Sequence, residues 1–381
     1  MRAITIVGGG PAGAMAAELL AAAGREVTLY DEKLAWEKPC GGGLTDKALR
    51  RYPFLAEAGA QRRWIADCEL IGRDGRRVAL RLDRPLAIWP RRELNGLLLE
   101  RARRAGAALI RDRVVAVERQ PEAAGWRLRT AAGAMQRADF VLLAAGARNP
   151  FRAAFAPGFG SADFMTALGY YVPGWSERLQ IKFAAGLSGY MWVFPRNDHL
   201  SAGICGAAAE QTTATLRRRL EDFLDAEGIA WRGSRFYAHL LPAPRLQTLR
   251  MLRFGGSDWA LAGDAAGFVD PLTGEGLYYA LRSGELLAEA LLAGHPERYE
   301  ASLRADFVPD LEWAARIAPR FYQGSFLGGA VIDRMLGFTA ASRRFQALMR
   351  DLFAGSQGYL GLKRRLYRQL LPTLAQVLAA R

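Results

Sequence analysis

Cysteine, histidine and lysine are all scarce in this 381-residue chain. Its three cysteines, Cys40, Cys68 and Cys205, are too few and too scattered for a disulfide framework, which points to a reducing, cytoplasmic setting. The three histidines, His199, His239 and His295, have no metal-ligand spacing among themselves or with the cysteines, so no metal site is expected. No run approaches the ~18 consecutive apolar residues of a membrane span. Met1-Arg2-Ala3 runs straight into Ile4-Thr5-Ile6-Val7, which reads as a buried strand and not as a leader. No internal repeat, low-complexity tract or nucleic-acid recognition motif is present, and nucleic acid is not expected as a partner.

The charge that is there is arginine. Lysine is confined to Lys33, Lys38, Lys47, Lys182 and Lys363, yet the net charge is +14. This reflects either arginine-rich codon usage or attraction to anions, meaning phosphorylated substrates or an acidic membrane surface. An apolar fraction of 51% with 24% charged residues is that of a folded globular chain, long enough for one large domain or two interleaved ones.

The N-terminus carries a nucleotide-binding pattern. The β-branched run Ile4–Val7 leads into Gly8-Gly9-Gly10-Pro11-Ala12-Gly13, which matches G-x-G-x-x-G. Ala14 to Ala21 are strong helix formers, Gly24 ends the helix, and Val27–Tyr30 reads as a second strand closed by Asp31 and Glu32. Gly8 permits the tight turn, Gly10 lets the backbone approach a pyrophosphate, and Gly13 lets helix and strand pack closely. The helix N-terminus, opened by Pro11 and Ala12, offers free N–H groups to phosphates. Asp31 stands where an acid accepts from a ribose hydroxyl.

A second pattern lies far downstream. The strand-like Trp259–Ala262 precedes Gly263-Asp264-Ala265-Ala266-Gly267, then Pro271, Gly274-Glu275-Gly276 and a helix over Leu277–Leu292. This stretch resembles the second flavin fingerprint of the p-hydroxybenzoate-hydroxylase-like flavoproteins. The resemblance implies FAD, with Asp264 on the ribityl chain and the backbone of Gly274 to Gly276 against the isoalloxazine edge. Arg91 resembles the arginine of that superfamily that reaches back to FAD, with Arg92 as the alternative counterpart. The usual middle Asp-Gly is replaced by Ala147-Arg148, although the turn glycine Gly146 remains. No second G-x-G-x-x-G is present, so electrons are expected from transiently docked NAD(P)H (NADPH by preference) or from a ferredoxin-like redox protein.

Three further stretches narrow the family. Lys38-Pro39-Cys40-Gly41-Gly42-Gly43-Leu44, the strand-like Tyr190-Met191-Trp192-Val193-Phe194-Pro195, and Gly355 to Arg365 with its Gln-x-Tyr-x-x-Leu-Lys order resemble the signatures of the geranylgeranyl reductase family. That resemblance implies an oxidoreductase saturating isoprenoid double bonds by hydride transfer from reduced FAD, on a prenylated small molecule or lipid. As a strand, Tyr190, Trp192 and Phe194 share one face and Met191 and Val193 the other. The first face is either a wall for a prenyl chain or ordinary core. Cys40 either borders the reactive flavin face, with Gly41, Gly42 and Gly43 approaching the ring, or fills space as a small hydrophobe. A monooxygenase or halogenase on the same fold is the alternative, with Lys182 as the candidate halogen carrier. A non-catalytic flavin or lipid binder is the third.

The expected architecture is α/β: a Rossmann-like FAD-binding domain of residues 1–60, 91–160 and 252–300, an inserted antiparallel β substrate-binding domain of 61–90 and 161–251, and a helical C-terminus over 301–381. In that last region Leu360, Leu362, Leu366, Leu370, Leu371 and Leu374 alternate with Lys363, Arg364, Arg365 and Arg368. Such a stripe either packs on its own domain or lies peripherally on the anionic inner face of the cell membrane.

Overall fold

The computed structural model describes residues 3–57, 62–120, 124–356, 358–362, 364, 365 and 368. The chain forms two compact units: Met1–Lys38, Arg91–Asp163 and Leu241–Glu312, and Pro39–Pro90, Phe164–Leu240 and the residues from Trp313 onward.

The first unit is built on a five-stranded sheet in the order Trp259–Leu261, Phe140–Leu143, Ala3–Val7, Glu26–Tyr30, Ala108–Ile110. Every neighbouring pair is parallel. Ile4, Ile6, Leu29 and the whole of Phe140–Leu143 are buried, as a parallel sheet covered on both faces requires. The helix Pro11–Ala22 follows the first strand directly, with Pro11 in its first turn where a missing N–H is harmless. A Cβ on Gly284 would lie 2.3 Å from the Ala12 carbonyl oxygen, so the helix Leu277–Leu292 packs on the first helix backbone to backbone. The helix Arg91–Arg104 covers the same helix. A three-stranded antiparallel sheet, Val114–Arg119, Trp126–Thr130 and Met135–Ala138, completes the unit.

The second unit holds an eight-stranded sheet in the order Arg235–Pro242, Phe164–Pro173, His199–Ala207, Gly189–Pro195, Arg178–Lys182, Arg63–Ile71, Arg77–Ile88, Gly43–Leu44. From Phe164–Pro173 to Gly43–Leu44 it is antiparallel except at one seam, where Arg178–Lys182 runs parallel to Arg63–Ile71. Those strands come from different insertions, and the long connection between them permits a parallel pairing that no hairpin can make. One face of the sheet packs Leu168, Val172, Met191, Val193 and Ile204 against Leu216, Leu220 and Leu224 of the helix Thr213–Ala226. Each fully buried leucine contributes roughly 1.5–3 kcal/mol relative to exposure. The Thr212 hydroxyl caps that helix, accepting from the Thr215 N–H at 3.1 Å.

The units differ from the expected pieces in several places, among them residues 241–251, expected with the substrate-binding piece but falling in the first unit. Residues from Pro39 fall in the second unit, because Gly43 and Leu44 pair with Ile88 and Ala87 and the Asp46 carboxylate accepts from Arg84 at 3.1 Å. The expected separate helical C-terminus is divided after Glu312. Asp333 accepts from the Arg73 N–H at 2.8 Å, and the helix Arg343–Ala354 lies on Arg77–Ile88 with Arg350 bonded to Asp83 at 3.2 Å. A small hairpin, Ser325–Phe326 with Gly329–Ala330, interrupts the helices. No helix among the described residues is long and apolar enough to cross a membrane. Gln357, Lys363, Leu366, Leu370, Leu371 and Leu374 lie outside the described residues, and the membrane expectation rests largely on them.

Candidate functional site

In the first unit the glycine turn sits at the C-terminal end of the first strand, the end at which open parallel sheets bind ligands. Gly8 has φ +111°, and a Cβ on it would lie 2.3 Å from the Ala144 carbonyl oxygen. A Cβ on Gly13 would lie 2.0 Å from the Gly8 oxygen. Around Gly10, by contrast, no protein atom comes within 4 Å of that position. The turn is closed where strand and helix meet and open at Gly10, over the N-terminus of the helix. The Asp31 carboxylate accepts from the N–H groups of Gly9 at 2.7 Å, Lys33 at 2.8 Å and Leu34 at 2.7 Å. With three of its about four lone-pair sites committed to backbone, it shapes the turn itself. Glu32 is half-exposed beside Lys33 and takes no part in these bonds.

The second fingerprint folds into a set of turns. Gly263 has φ +58° and donates its N–H to Ser283 Oγ at 3.0 Å. Asp270, 2% exposed, accepts from the N–H groups of Leu272 and Thr273 and from the Thr273 hydroxyl, while its carbonyl takes the Gly274 N–H. These bonds hold Pro271 to Gly276 in a tight turn, with Gly274 at φ +72° and Gly276 capping the helix Leu277–Leu292. The helix thus presents its N-terminal N–H groups at the end of the turn, a place suited to negative charge. Asp264 is bonded to Lys38 Nζ at 2.8 Å. Of the two arginine candidates, Arg91 is buried and Arg92 exposed. Among the described residues the Arg91 guanidinium contacts only Asn95, at 3.4 Å, and its Nε has no acceptor. Gly146 has φ +77° and open space around it. An open glycine turn, a buried guanidinium with spare donors and two helix N-termini fit the pyrophosphate, ribityl and isoalloxazine parts of FAD.

The Cys40 loop and the aromatic strand belong to the second unit. The Gly42 N–H donates to Cys40 Sγ at 3.3 Å, and the Trp89 N–H to the Gly42 carbonyl at 2.9 Å. Cys40 is partly exposed, whereas Cys68 and Cys205 are buried. Burial pushes the Cys205 thiol up to about 12 and Cys68 higher still, so both are inert. On Gly189–Pro195 the side chains divide by face: Met191 and Val193 join the core, while Tyr190 and Trp192 meet edge-on with ring centroids 6.0 Å apart. A Cβ on Gly203, opposite Trp192, would lie 2.3 Å from the indole, so the ring lies flat over that glycine. Phe194 covers Gly41 in the same way, 2.8 Å from where a Cβ would stand. Phe194 thus packs on the loop, while Trp192, on the same face of the strand, packs on Gly203.

Several supporting residues have no motif to announce them. Glu37 caps the helix Arg91–Arg104, accepting from the N–H groups of Arg91 at 3.1 Å and Arg92 at 2.9 Å. Arg152, 5% exposed, bonds the carbonyls of Pro157 and Ala265 and stands over the Phe159 ring at 3.8 Å. Burial lowers its pKa to about 10. It braces the turn that follows Asp264. Asp270 has a sequence signal, an Asx turn of the form Asp-Pro-x-Thr-Gly. Lys182 donates to the Gly72 carbonyl at 2.6 Å, and burial lowers its pKa.

Comparison with known proteins points to the same cofactor and fold. Residues 1–169 match the FAD binding domain family. The chain is 30% identical over 305 residues to the geranylgeranyl diphosphate reductase of Rhodobacter capsulatus, covering 76% of this chain and 74% of that protein. It is 28% identical over 337 residues to the menaquinone reductase of Mycobacterium tuberculosis, covering 80% and 79%. A geranylgeranyl bacteriochlorophyll reductase-like protein of Thermoplasma acidophilum superposes with a TM-score of 0.76 at 20% identity, over 97% of this chain and 99% of that one. A flavin-dependent brominase has the same fold, with a TM-score of 0.71 at 16% identity over 92% and 93%.

Proposed function

The chain belongs to the geranylgeranyl reductase family of FAD-dependent oxidoreductases, and from that premise we propose that it saturates isoprenoid carbon–carbon double bonds. The observation that carries this reading is the packing of Phe194 on Gly41, next to Cys40, at the end of a strand face that also carries Tyr190 and Trp192. An isolated trisubstituted alkene is a poor hydride acceptor, so the site must position it and exclude water. The three rings supply an apolar wall along which a prenyl chain lies. Reduced FAD, when bound, supplies the hydride. The Cys40 thiol, or a water it orients, delivers the proton to the neighbouring carbon, and solvent restores that proton at this partly exposed residue. Gly10, Arg91 and the turn Pro271–Gly276 hold the cofactor, and the helix Leu277–Leu292 stabilises the negative charge of its reduced form. Asp264 takes the ribityl chain, exchanging its bond to Lys38. Electrons arrive from NAD(P)H docking transiently or from a ferredoxin-like protein. The relatives named for geranylgeranyl diphosphate and menaquinone make a prenyl diphosphate or a prenylated quinone the first substrates to try.

The test is anaerobic. Photoreduced protein is mixed with geranylgeranyl diphosphate or a prenylated quinone, and flavin reoxidation is followed alongside product mass. Reoxidation with a gain of two hydrogens per double bond supports the proposal. A protein silent toward every prenyl compound, yet oxidised in a substrate-dependent way once air enters, belongs to oxygen chemistry. The brominase-like fold keeps that second reading in view. Lys182 argues against its halogenase form, because the ammonium is engaged by the Gly72 carbonyl.

A further inference from the structure

Arg196 follows the aromatic strand and is wholly buried. Its Nη2 donates to the Cys40 carbonyl at 2.8 Å, and its Nη1 donates to the Trp89 carbonyl. Its own N–H is fixed to the His199 carbonyl at 2.7 Å. The Cys40 carbonyl takes a second bond from Ser201 Oγ at 3.3 Å, and that hydroxyl is held by Tyr237 OH at 3.1 Å. Ser201 is wholly buried and Tyr237 nearly so. One peptide carbonyl is thus drawn inward by two buried donors. The Cys40–Gly41 peptide is trans, so its N–H points the opposite way from its carbonyl. Among the described residues the Gly41 N–H has no acceptor. A Cβ on Gly42 would stand 2.6 Å from Arg196 Nη1, so the loop and the guanidinium are fitted to each other at that residue.

We propose that Arg196 is a positioning residue for the reaction: by pinning the Cys40 and Trp89 carbonyls inward it turns the Gly41 N–H outward beside the Cys40 thiol. The loop then presents an N–H and an S–H together. The thiol serves the proton transfer. The N–H would be a preorganised donor to negative charge on a reduced flavin bound beside the loop. This inference rests on the reductase reading and refines the role of the Cys40 loop within it. A lysine at position 196 reaches one carbonyl but cannot serve two with fixed geometry.

The experiment compares Arg196→Lys with wild type in the FAD-loaded protein. It measures FAD content, the flavin midpoint potential, the rate of Cys40 alkylation by iodoacetamide, and kcat and KM with a prenyl diphosphate. The expected result is unchanged FAD content, a more negative potential, an altered alkylation rate, and kcat down about tenfold to a hundredfold with KM within about threefold, the scale of a misplaced reacting group. Cys68 and Cys205 are buried, so alkylation reports Cys40. Wild-type values of potential, alkylation rate and kcat in a folded Arg196→Lys protein overturn the inference. Should that variant fail to fold, Ser201→Ala removes the weaker bond to the same carbonyl. It is expected to shift potential and alkylation in the same direction, and no shift in either overturns the inference. If wild type itself leaves prenyl compounds untouched, the reductase reading fails, while potential and alkylation still decide the role of Arg196.

Discussion

The glycines of the first unit's helix junctions and those of the Cys40 loop answer to different neighbours. In the first unit Gly8, Gly13 and Gly284 each face a backbone carbonyl oxygen, with only 2.0–2.3 Å to spare for a Cβ. In the Cys40 loop Gly41 faces the Phe194 ring, and Gly42 faces the Trp89 carbonyl and the Arg196 guanidinium. The first set is demanded by how strand and helix join, a constraint shared by any chain that builds this turn. The second set depends largely on side chains some 150 positions away, and so on this particular site. The lesson is that the cradle is a property of the backbone, and the loop a property of its partners.

The sharpest way to break this comparison is within the first set. Gly13→Val places bulk against the Gly8 carbonyl and is expected to cost about 3 kcal/mol or more, with little folded, flavin-free protein recovered. Gly10→Ala meets no protein atom within 4 Å and should fold like wild type while binding FAD at least about tenfold more weakly. Thermal melting and flavin titration separate the two; equal folding defects would remove Gly10 from the cofactor site. Next in size is Cys40→Ser in the loop, expected to lower turnover about tenfold to a hundredfold at unchanged FAD content. Unaltered turnover would return Cys40 to a space-filling role. Arg91→Met removes a buried guanidinium with spare donors and should raise the FAD dissociation constant about tenfold, a loss of one charge-assisted bond. A dissociation constant that does not move would leave Arg91 a structural residue bonded to Asn95. An effect of the same order is expected at Gly203→Ala. The added methyl must displace the Trp192 indole, destabilising the second unit by about 1–3 kcal/mol and shifting tryptophan fluorescence. An unshifted spectrum would show that the ring does not lie on that glycine.

How much of this was legible follows from the same difference. The first helix, both flanking strands and the helix Leu277–Leu292 could be read because periodicity, propensity and glycine placement agree within a short window. The alternation along Tyr190–Phe194 was readable for the same reason. Glu37, Arg152 and Arg196 were not. Each is an ordinary polar residue locally, and acquires its task only when the fold brings a helix terminus or a carbonyl to it. Lys38 stood inside a recognised motif, but its bond to Asp264 spans 226 residues and no local pattern signals it. The parallel seam between Arg63–Ile71 and Arg178–Lys182 was missed because pairing partners outside a hairpin leave no local trace.

The strand Gly189–Pro195 keeps two accounts by parity. Its odd positions, Met191 and Val193, hold the sheet to its helix, while its even positions, Tyr190, Trp192 and Phe194, share the other face, where Phe194 covers the loop and Trp192 covers Gly203. On the proposed reading, substitutions at even numbers would reshape the wall, while Met191 and Val193 keep their packing on the helix. A single-residue insertion or deletion has no such freedom, since it would exchange the two rows at once.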